Sequence, residues 1–163
     1  MLEFLSEITM SNEIYGFADL PLRHDLLIVM NALKELTPLG VFTVSENDLI
    51  GFPSELRSNI NSLVFAIGDS PESMNAEYIL DYQDYDPQSV IRLPINADER
   101  LSLLTKILFF LFADMKCERI VICLTESNQV DSVKHLNASQ MLQIFKEDCS
   151  IESPPCMIYV ITP

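Results

Sequence analysis

The residues best suited to chemistry lie in one short acidic segment. No Lys or Arg stands between Ser58 and Ile91, and within this interval Asp81-Tyr-Gln-Asp-Tyr-Asp86 alternates three carboxylates with two phenol rings. Paired carboxylates can perform general acid–base catalysis when their surroundings separate their pKa values. Because these acids fall in a predicted exposed loop, where desolvation is absent, an enzyme using Asp81, Asp84 or Asp86 is the least favoured of three interpretations.

A docking surface for a basic protein is the most favoured interpretation of the same segment. Clustered acids speed the encounter with a cationic partner and oppose wrong partners. Tyrosine anchors interfaces because it brings a large area with little rotamer entropy. In the competing interpretation, the acids only solvate the protein and the rings fold back onto the core. The residues predicted to bind the partner are Asp69, Glu72, Glu77, Asp81, Tyr82, Asp84, Tyr85 and Asp86.

Cysteine and histidine give no clear site. Cys117 and Cys123 are separated by five residues, whereas structural zinc sites commonly use cysteines two to four residues apart. Cys123 lies in an apolar run, where a thiol behaves as a small hydrophobe. A Cys–His pair that joins Cys117 or Cys149 to His135 stays open, because spatial proximity is not readable from sequence. His24 is predicted on the polar side of a helix. We expect no metal, no cofactor and no catalytic residue.

Glycine placement excludes two large classes of enzyme. The chain has four glycines, at positions 16, 40, 51 and 68. Phosphate cradles and nucleophile elbows need glycine or another small residue where a strand turns into a helix. No G-x-G-x-x-G, Walker A or G-x-S-x-G pattern is present, so the common nucleotide-binding and hydrolase motifs are excluded.

Composition sets the broad class of the protein. The 163 residues are 48% hydrophobic and carry 10 Lys and Arg against 24 Asp and Glu, a net charge of −14. This balance predicts a folded single domain over residues 1–163 that binds neither nucleic acid nor anionic membrane directly. The first residues carry two acids and no base, which is not typical of a secretory signal. We therefore expect a cytoplasmic protein with reduced thiols.

Helical spacing of apolar residues predicts two helices in the first half. The first follows Asp19 as its N-cap, has Pro21 in its first turn and ends at the Pro38-Leu-Gly40 sequence. The second begins near Pro53 and stops at Gly68.

Two further helices are predicted in the second half, each with a local capping signal. Asn96 followed by Glu99 resembles a capping box and opens a helix from about Ala97 to Ala113. Asn137 with Gln140 in the corresponding position opens the last helix, which turns Met141, Leu142 and Phe145 inward.

Apolar runs predict about five strands. Ile120–Leu124 and Met157–Ile161 are continuous apolar runs, expected of strands covered on both faces. Val41–Val44, Glu77–Leu80 and Val90–Leu93 are shorter candidates.

The order of these elements suggests a mostly parallel sheet. From Val90 onward it reads strand, helix, strand, helix, strand, which implies two β-α-β crossovers. Glu77–Leu80 and Val90–Leu93 could form a hairpin whose tip is 81–89. The expected fold is a single α/β domain with a mixed, mostly parallel sheet of about five strands and four main helices.

Two functions remain open beside catalysis. The first is a non-enzymatic immunity protein or antitoxin that occludes the active site of a basic toxin of the nuclease class. The second is a small acidic dimeric chaperone or assembly adaptor of a bacterial secretion system. It would use the second apolar face of the third predicted helix, near Leu103, Ile107 and Phe110. That face is also typical of a helix buried between layers.

Overall fold

The computed structural model describes residues 13–21, 24–49, 51–57, 62–81, 83–84, 93–124, 130–152 and 154–163. Within these residues the chain forms one six-stranded sheet and four α-helices. The strands are β1 (Ile14–Asp19), β2 (Gly40–Thr43), β3 (Ser62–Gly68), β4 (Arg119–Cys123), β5 (Ser132–Asn137) and β6 (Met157–Thr162). The helices are α1 (Leu26–Leu36), α2 (Glu77–Leu80), α3 (Ala97–Ala113) and α4 (Met141–Ile151).

The sheet is mixed and mostly antiparallel. The strand order is β2-β3-β1-β4-β6-β5, and β5–β6 is the one parallel pair. The α/β class is confirmed, but the predictions of a mostly parallel sheet and of about five strands are wrong. No strand was predicted at β1, β3 or β5. Because β5 lies between β4 and α4 in the chain, the predicted crossover from β4 to β6 instead joins β5 to β6.

Two segments have a different secondary structure from the one that the spacing of their apolar residues predicts. The stretch predicted as the second helix contains a short 3₁₀ turn, Ser54–Leu56, and then β3. β3 is largely buried on both faces, so its sequence lacks the alternation that distinguishes a strand from a helix. The predicted strand Glu77–Leu80 is the helix α2. The predicted partner strand, Val90–Leu93, lies mostly outside the described residues.

Local capping signals located the other helices better. α3 has the predicted bounds, and the Asn96 side chain accepts a hydrogen bond from the Glu99 N–H. Asn137 and Gln140 form the predicted capping box, followed by one 3₁₀ turn and then α4. The first helix starts later than predicted, because Asp25 rather than Asp19 is its N-cap.

The helices pack on one face of the sheet, with α3 in contact with α1, α2 and α4. This position explains why α3 is apolar on most sides. Ile107 is fully buried, and the half-buried Leu103 and Phe110 pack against the same core. A smaller cluster covers the opposite face, where Leu49 and Phe52 pack with residues such as Phe17 of the central strands. Residues 120–123 of β4 are fully buried, as expected of a strand covered on both faces.

Candidate protein-binding surface

The acidic residues of the predicted site begin directly after β3, but the first of them is internal. Asp69 is only 3% exposed, and its carboxylate accepts hydrogen bonds from the backbone N–H groups of Tyr78 and Ile79. Burial raises the pKa of Asp69 to about 6, and the nearby negative charge of Glu77 also raises it. The two N–H groups and the positive charge of Arg100 lower the pKa and only partly offset this increase. Asp69 therefore holds α2 in place rather than facing a partner.

The next four acids lie on or near the surface. Glu72 and Glu77 are exposed, and Asp81 directly after α2 is half-buried. Asp84 is exposed, yet its carboxylate also accepts a 2.8 Å hydrogen bond from the Ala97 N–H at the start of α3. These acids therefore follow one another from the end of β3 to the beginning of α3.

Three residues of the predicted site, Tyr82, Tyr85 and Asp86, lie outside the described residues. So does most of the predicted hairpin tip, 81–89. The described part of the tip consists of Asp81, Gln83 and Asp84. The hairpin itself does not form as predicted, since its first strand is α2.

A buried arginine fixes the position of this segment. Arg100 on α3 is fully buried, and its guanidinium donates hydrogen bonds to the carbonyl oxygens of Asp81 (3.1 Å) and Gln83 on one side. On the other side it donates to the carbonyl oxygens of Pro94 (2.8 Å) and Ile95 (2.6 Å). We call this arrangement the Arg100 clamp. It ties the chain after α2 to the chain before α3.

The clamp also keeps one positive charge, that of Arg100, away from the protein surface. Between Ser62 and Asp84 the described chain contains no Lys or Arg, and the cation nearest to Asp81 along α3 is enclosed by carbonyl groups. Guanidinium is suited to this role because it is planar and presents several donors in fixed directions. Among the described residues from Ser62 to Asp84, the exposed acids therefore have no exposed Lys or Arg beside them in the chain.

Sequence reasoning missed two acids that the fold adds to this surface. Asp98 and Glu99 occupy the first turn of α3, and Asp98 lines a shallow recess of about 280 Å³ with Asp84 and Asn96. Asp98 also forms a 3.1 Å ion pair with Lys146 on α4. The sequence did not single out these two acids, because acidic residues in the first turn of a helix stabilise the helix itself and need no further function. We define the acidic surface as Glu72, Glu77, Asp81, Asp84, Asp98 and Glu99.

The cysteine–histidine pair that the sequence left open does not form. Cys117 and Cys149 belong to the core on the helix side of the sheet. His135 on β5 is paired with Val160, whose side chain lies in the cluster on the opposite face. Burial raises the pKa of both thiols to about 12, which keeps them protonated. Among the residues that the structure describes, no three His, Cys, Asp or Glu side chains could hold a metal ion together.

A second group of acids surrounds a cleft at the end of α4. Asp131, Asp148, Glu152 and Cys156 line a cavity of about 160 Å³. The innermost carboxylate, Asp148, is already occupied: the Lys134 ammonium lies 2.9 Å from both of its oxygens, and the buried Tyr159 hydroxyl donates to it at 2.8 Å. Burial and this hydrogen bond raise the pKa of Tyr159. These contacts of Lys134 and Tyr159 with Asp148 hold β5 and β6 against α4.

No described helix is long and apolar enough to cross a membrane. No protein-family model matches the chain, and the comparisons with curated proteins and with solved structures also found no match.

Proposed function

We propose that this chain is a non-enzymatic binding module whose acidic surface docks on a basic protein. The partner we favour is a toxin of the nuclease class, which the chain would neutralise as an immunity protein or antitoxin by covering the active site. The observation that carries the proposal is the Arg100 clamp, which fixes the backbone of Asp81 and Gln83 next to the exposed Asp84 and keeps its own arginine buried.

Charge complementarity favours a partner with a basic groove. A nuclease needs Lys and Arg side chains to hold phosphate groups, and these side chains remain exposed when no nucleic acid is bound. A surface of six carboxylates on a chain of net charge −14 attracts such a groove from a distance and raises the association rate. The same field repels nucleic acid, so the chain itself would not compete for the substrate of the partner.

Positional order adds to the charge argument. A flexible acidic loop loses conformational entropy when it binds, whereas a segment already fixed to a helix loses less. The clamp fixes Asp81 and Gln83 through their backbone carbonyl groups, and the Asp84 side chain is held by the Ala97 N–H. In the sequence Tyr82 stands between the two clamped residues and Tyr85 directly follows Asp84, and the proposal keeps both as the aromatic anchors of the interface.

The chaperone or adaptor alternative loses its main support. It required an apolar face of α3 near Leu103, Ile107 and Phe110 that is free to contact a client or a second chain. These residues pack against the core on the helix side of the sheet, and Ile107 is fully buried.

The proposal is tested with two triple variants of equal charge change. The first, Glu72→Lys with Glu77→Lys and Glu99→Lys, reverses exposed acids of the acidic surface. The matched control, Glu55→Lys with Asp114→Lys and Glu118→Lys, reverses three exposed acids elsewhere. The chains are used to capture proteins from cells of the source organism, and each captured protein is identified and assayed for nuclease activity.

The expected result is a basic protein that the wild-type chain and the control variant both capture and inhibit, and that the acidic-surface variant releases. Equal capture by both triple variants would contradict the proposed surface. Inhibition that persists in the acidic-surface variant would contradict the proposed mode of occlusion.

A further inference from the structure

The strand β5 forms one edge of the sheet and is open to solvent along most of its length. Among the described residues, no strand pairs with its outer edge. Four of its six residues are exposed, including Val133 at 41% and His135. An open edge presents unpaired backbone donors and acceptors, and proteins commonly protect such edges with proline, bulges or outward charges. β5 has no proline, and the charge of its one lysine, Lys134, is paired with Asp148 of the same chain on the helix side.

Charge distinguishes this edge from the rest of the molecule. No Asp or Glu stands between Ser132 and Lys146, the longest acid-free stretch in a chain of net charge −14. The other edge strand, β2, is shorter and is followed at once by Glu46 and Asp48. Two copies of this chain repel each other over most of their surface. Along β5 itself, which contains no Asp or Glu, two copies can approach without opposing carboxylates.

We infer that β5 pairs antiparallel with β5 of a second copy of this chain, so that the two sheets join into one. The inference is independent of the proposed function. Antiparallel pairing about a two-fold axis is self-complementary, as a symmetric dimer requires. Side chains alternate between the two faces of a strand, and residues directly opposite each other in antiparallel strands share a face. If both helical layers lie on the same side of the joined sheet, the two-fold axis must therefore pass where one residue lies opposite its own copy, and not between two residues.

His135 is the residue on that axis. Pairing about Lys134 would set two ammonium groups opposite each other, which is unfavourable. Pairing about His135 places Val133 opposite Asn137 of the second copy. It also places Asp131 opposite Ser139 of the second copy, in the turn that begins α4. The start of a helix carries partial positive charge, so each flanking acid meets a favourable field there.

The size of the contact sets the expected affinity. Pairing two six-residue strands buries less than the roughly 1,200 Å² of a standard stable interface, so dissociation in the micromolar range is expected. Sedimentation velocity from low micromolar to several hundred micromolar protein should show a monomer–dimer equilibrium. A single monomeric species over the whole range would overturn the inference.

Charge substitutions at the axis test the geometry. His135→Glu and His135→Lys each place like charges opposite each other, and both should weaken the dimer by at least about tenfold. Gln143→Glu and Gln143→Lys, on the exposed side of α4, are the matched controls and should leave it unchanged. If only one sign at His135 weakens association, or neither does, the symmetric pairing is refuted. Far-UV circular dichroism confirms that these surface variants are folded.

A cross-link tests the same contact directly. His135→Cys in a Cys156→Ser background should form a disulfide-linked dimer under mild oxidation, because residues opposite each other in antiparallel strands lie within disulfide distance. Ser150→Cys in the same background, exposed on α4, should not. Failure of the His135→Cys variant to cross-link in a concentration range where dimers sediment would place the interface elsewhere.

Discussion

Replacement of Arg100 by Met is the sharpest test of how the acidic surface is built. Methionine occupies a comparable volume and keeps the packing of the stem, but it removes every hydrogen bond of the guanidinium. Four carbonyl oxygens lose their donor, two before α3 and two after α2. Among the described residues of the segment between them, Asp84 keeps its hydrogen bond from the Ala97 N–H at the start of α3.

The expected loss of stability follows from these contacts. Hydrogen bonds to a charged group contribute about 1.5–3 kcal/mol each, but the carbonyls near the surface regain water and the cost of burying the charge disappears. We therefore expect Arg100→Met to lower the free energy of unfolding by about 3–5 kcal/mol, the range seen when a buried charged network is broken. Arg100→Lys retains the charge without the planar fork and should recover less than half of that loss.

Urea denaturation and amide hydrogen exchange together provide the assay. The control is Leu108→Ala, which removes a fully buried side chain from the same helix at a cost of about 2–5 kcal/mol. In Arg100→Met, exchange should accelerate most at residues 81, 83–84 and 93–97, through local opening. In Leu108→Ala it should accelerate throughout the core. A loss below about 1 kcal/mol, or the same exchange pattern in both variants, would refute the clamp as the element that positions the acids.

Three further changes test other parts of the structure. Burial raises the pKa of Asp69 to about 6, so the contribution of Asp69 to stability falls as the pH rises from about 4 through 6. In urea titrations, the wild type should lose about 1–3 kcal/mol of unfolding free energy relative to Asp69→Asn between pH 4.5 and 7.5. A difference between the two proteins that stays constant with pH would refute this prediction. Tyr159→Phe removes the hydrogen bond to Asp148 and should cost about 1–2 kcal/mol by thermal and urea unfolding, with no cost if the network is unimportant. Gly68→Ala would place a Cβ atom on the Ser73 carbonyl oxygen and should cost more than about 3 kcal/mol in urea unfolding; near-wild-type stability would contradict the tight approach of this turn.

Elements with local signals could be predicted from the sequence, and elements defined by tertiary contacts could not. α3 was predicted with correct bounds because Asn96 and a long apolar segment both act within the helix. β3 was read as a helix because it is buried on both faces and the apolar spacing of Leu63 and Ile67 fits either period. β5 was missed because an edge strand with Lys134 and His135 carries little apolar pattern.

The missed strand explains the largest error in the fold. Without β5, the order β4, α4, β6 looks like a parallel crossover, whereas β4 and β6 are antiparallel neighbours. When β5 is included, the helix α4 connects β5 to β6, which are the parallel neighbours, so the crossover was assigned to the wrong pair of strands. The capping signals at Asn96 and Asn137 locate helix ends and contain no information about strand direction.

The candidate site was predicted in outline from charge alone. The absence of Lys and Arg around Asp81 and Asp84 indicated where exposed acids follow one another in the chain, while their role in binding stays a prediction. The burial of Asp69 and the addition of Asp98 depend on how α2 and α3 pack, which no short pattern encodes. Arg100 was not singled out at all, because an arginine inside an amphipathic helix is usually solvated.

The most direct test of the central claim is the association rate of this chain with its captured basic partner, measured by stopped flow against ionic strength. If the acidic surface steers the encounter, the rate of the wild-type chain falls steeply as salt rises, and the variant with Lys at positions 72, 77 and 99 associates slowly at every salt concentration. A wild-type rate that does not change with salt would contradict the account.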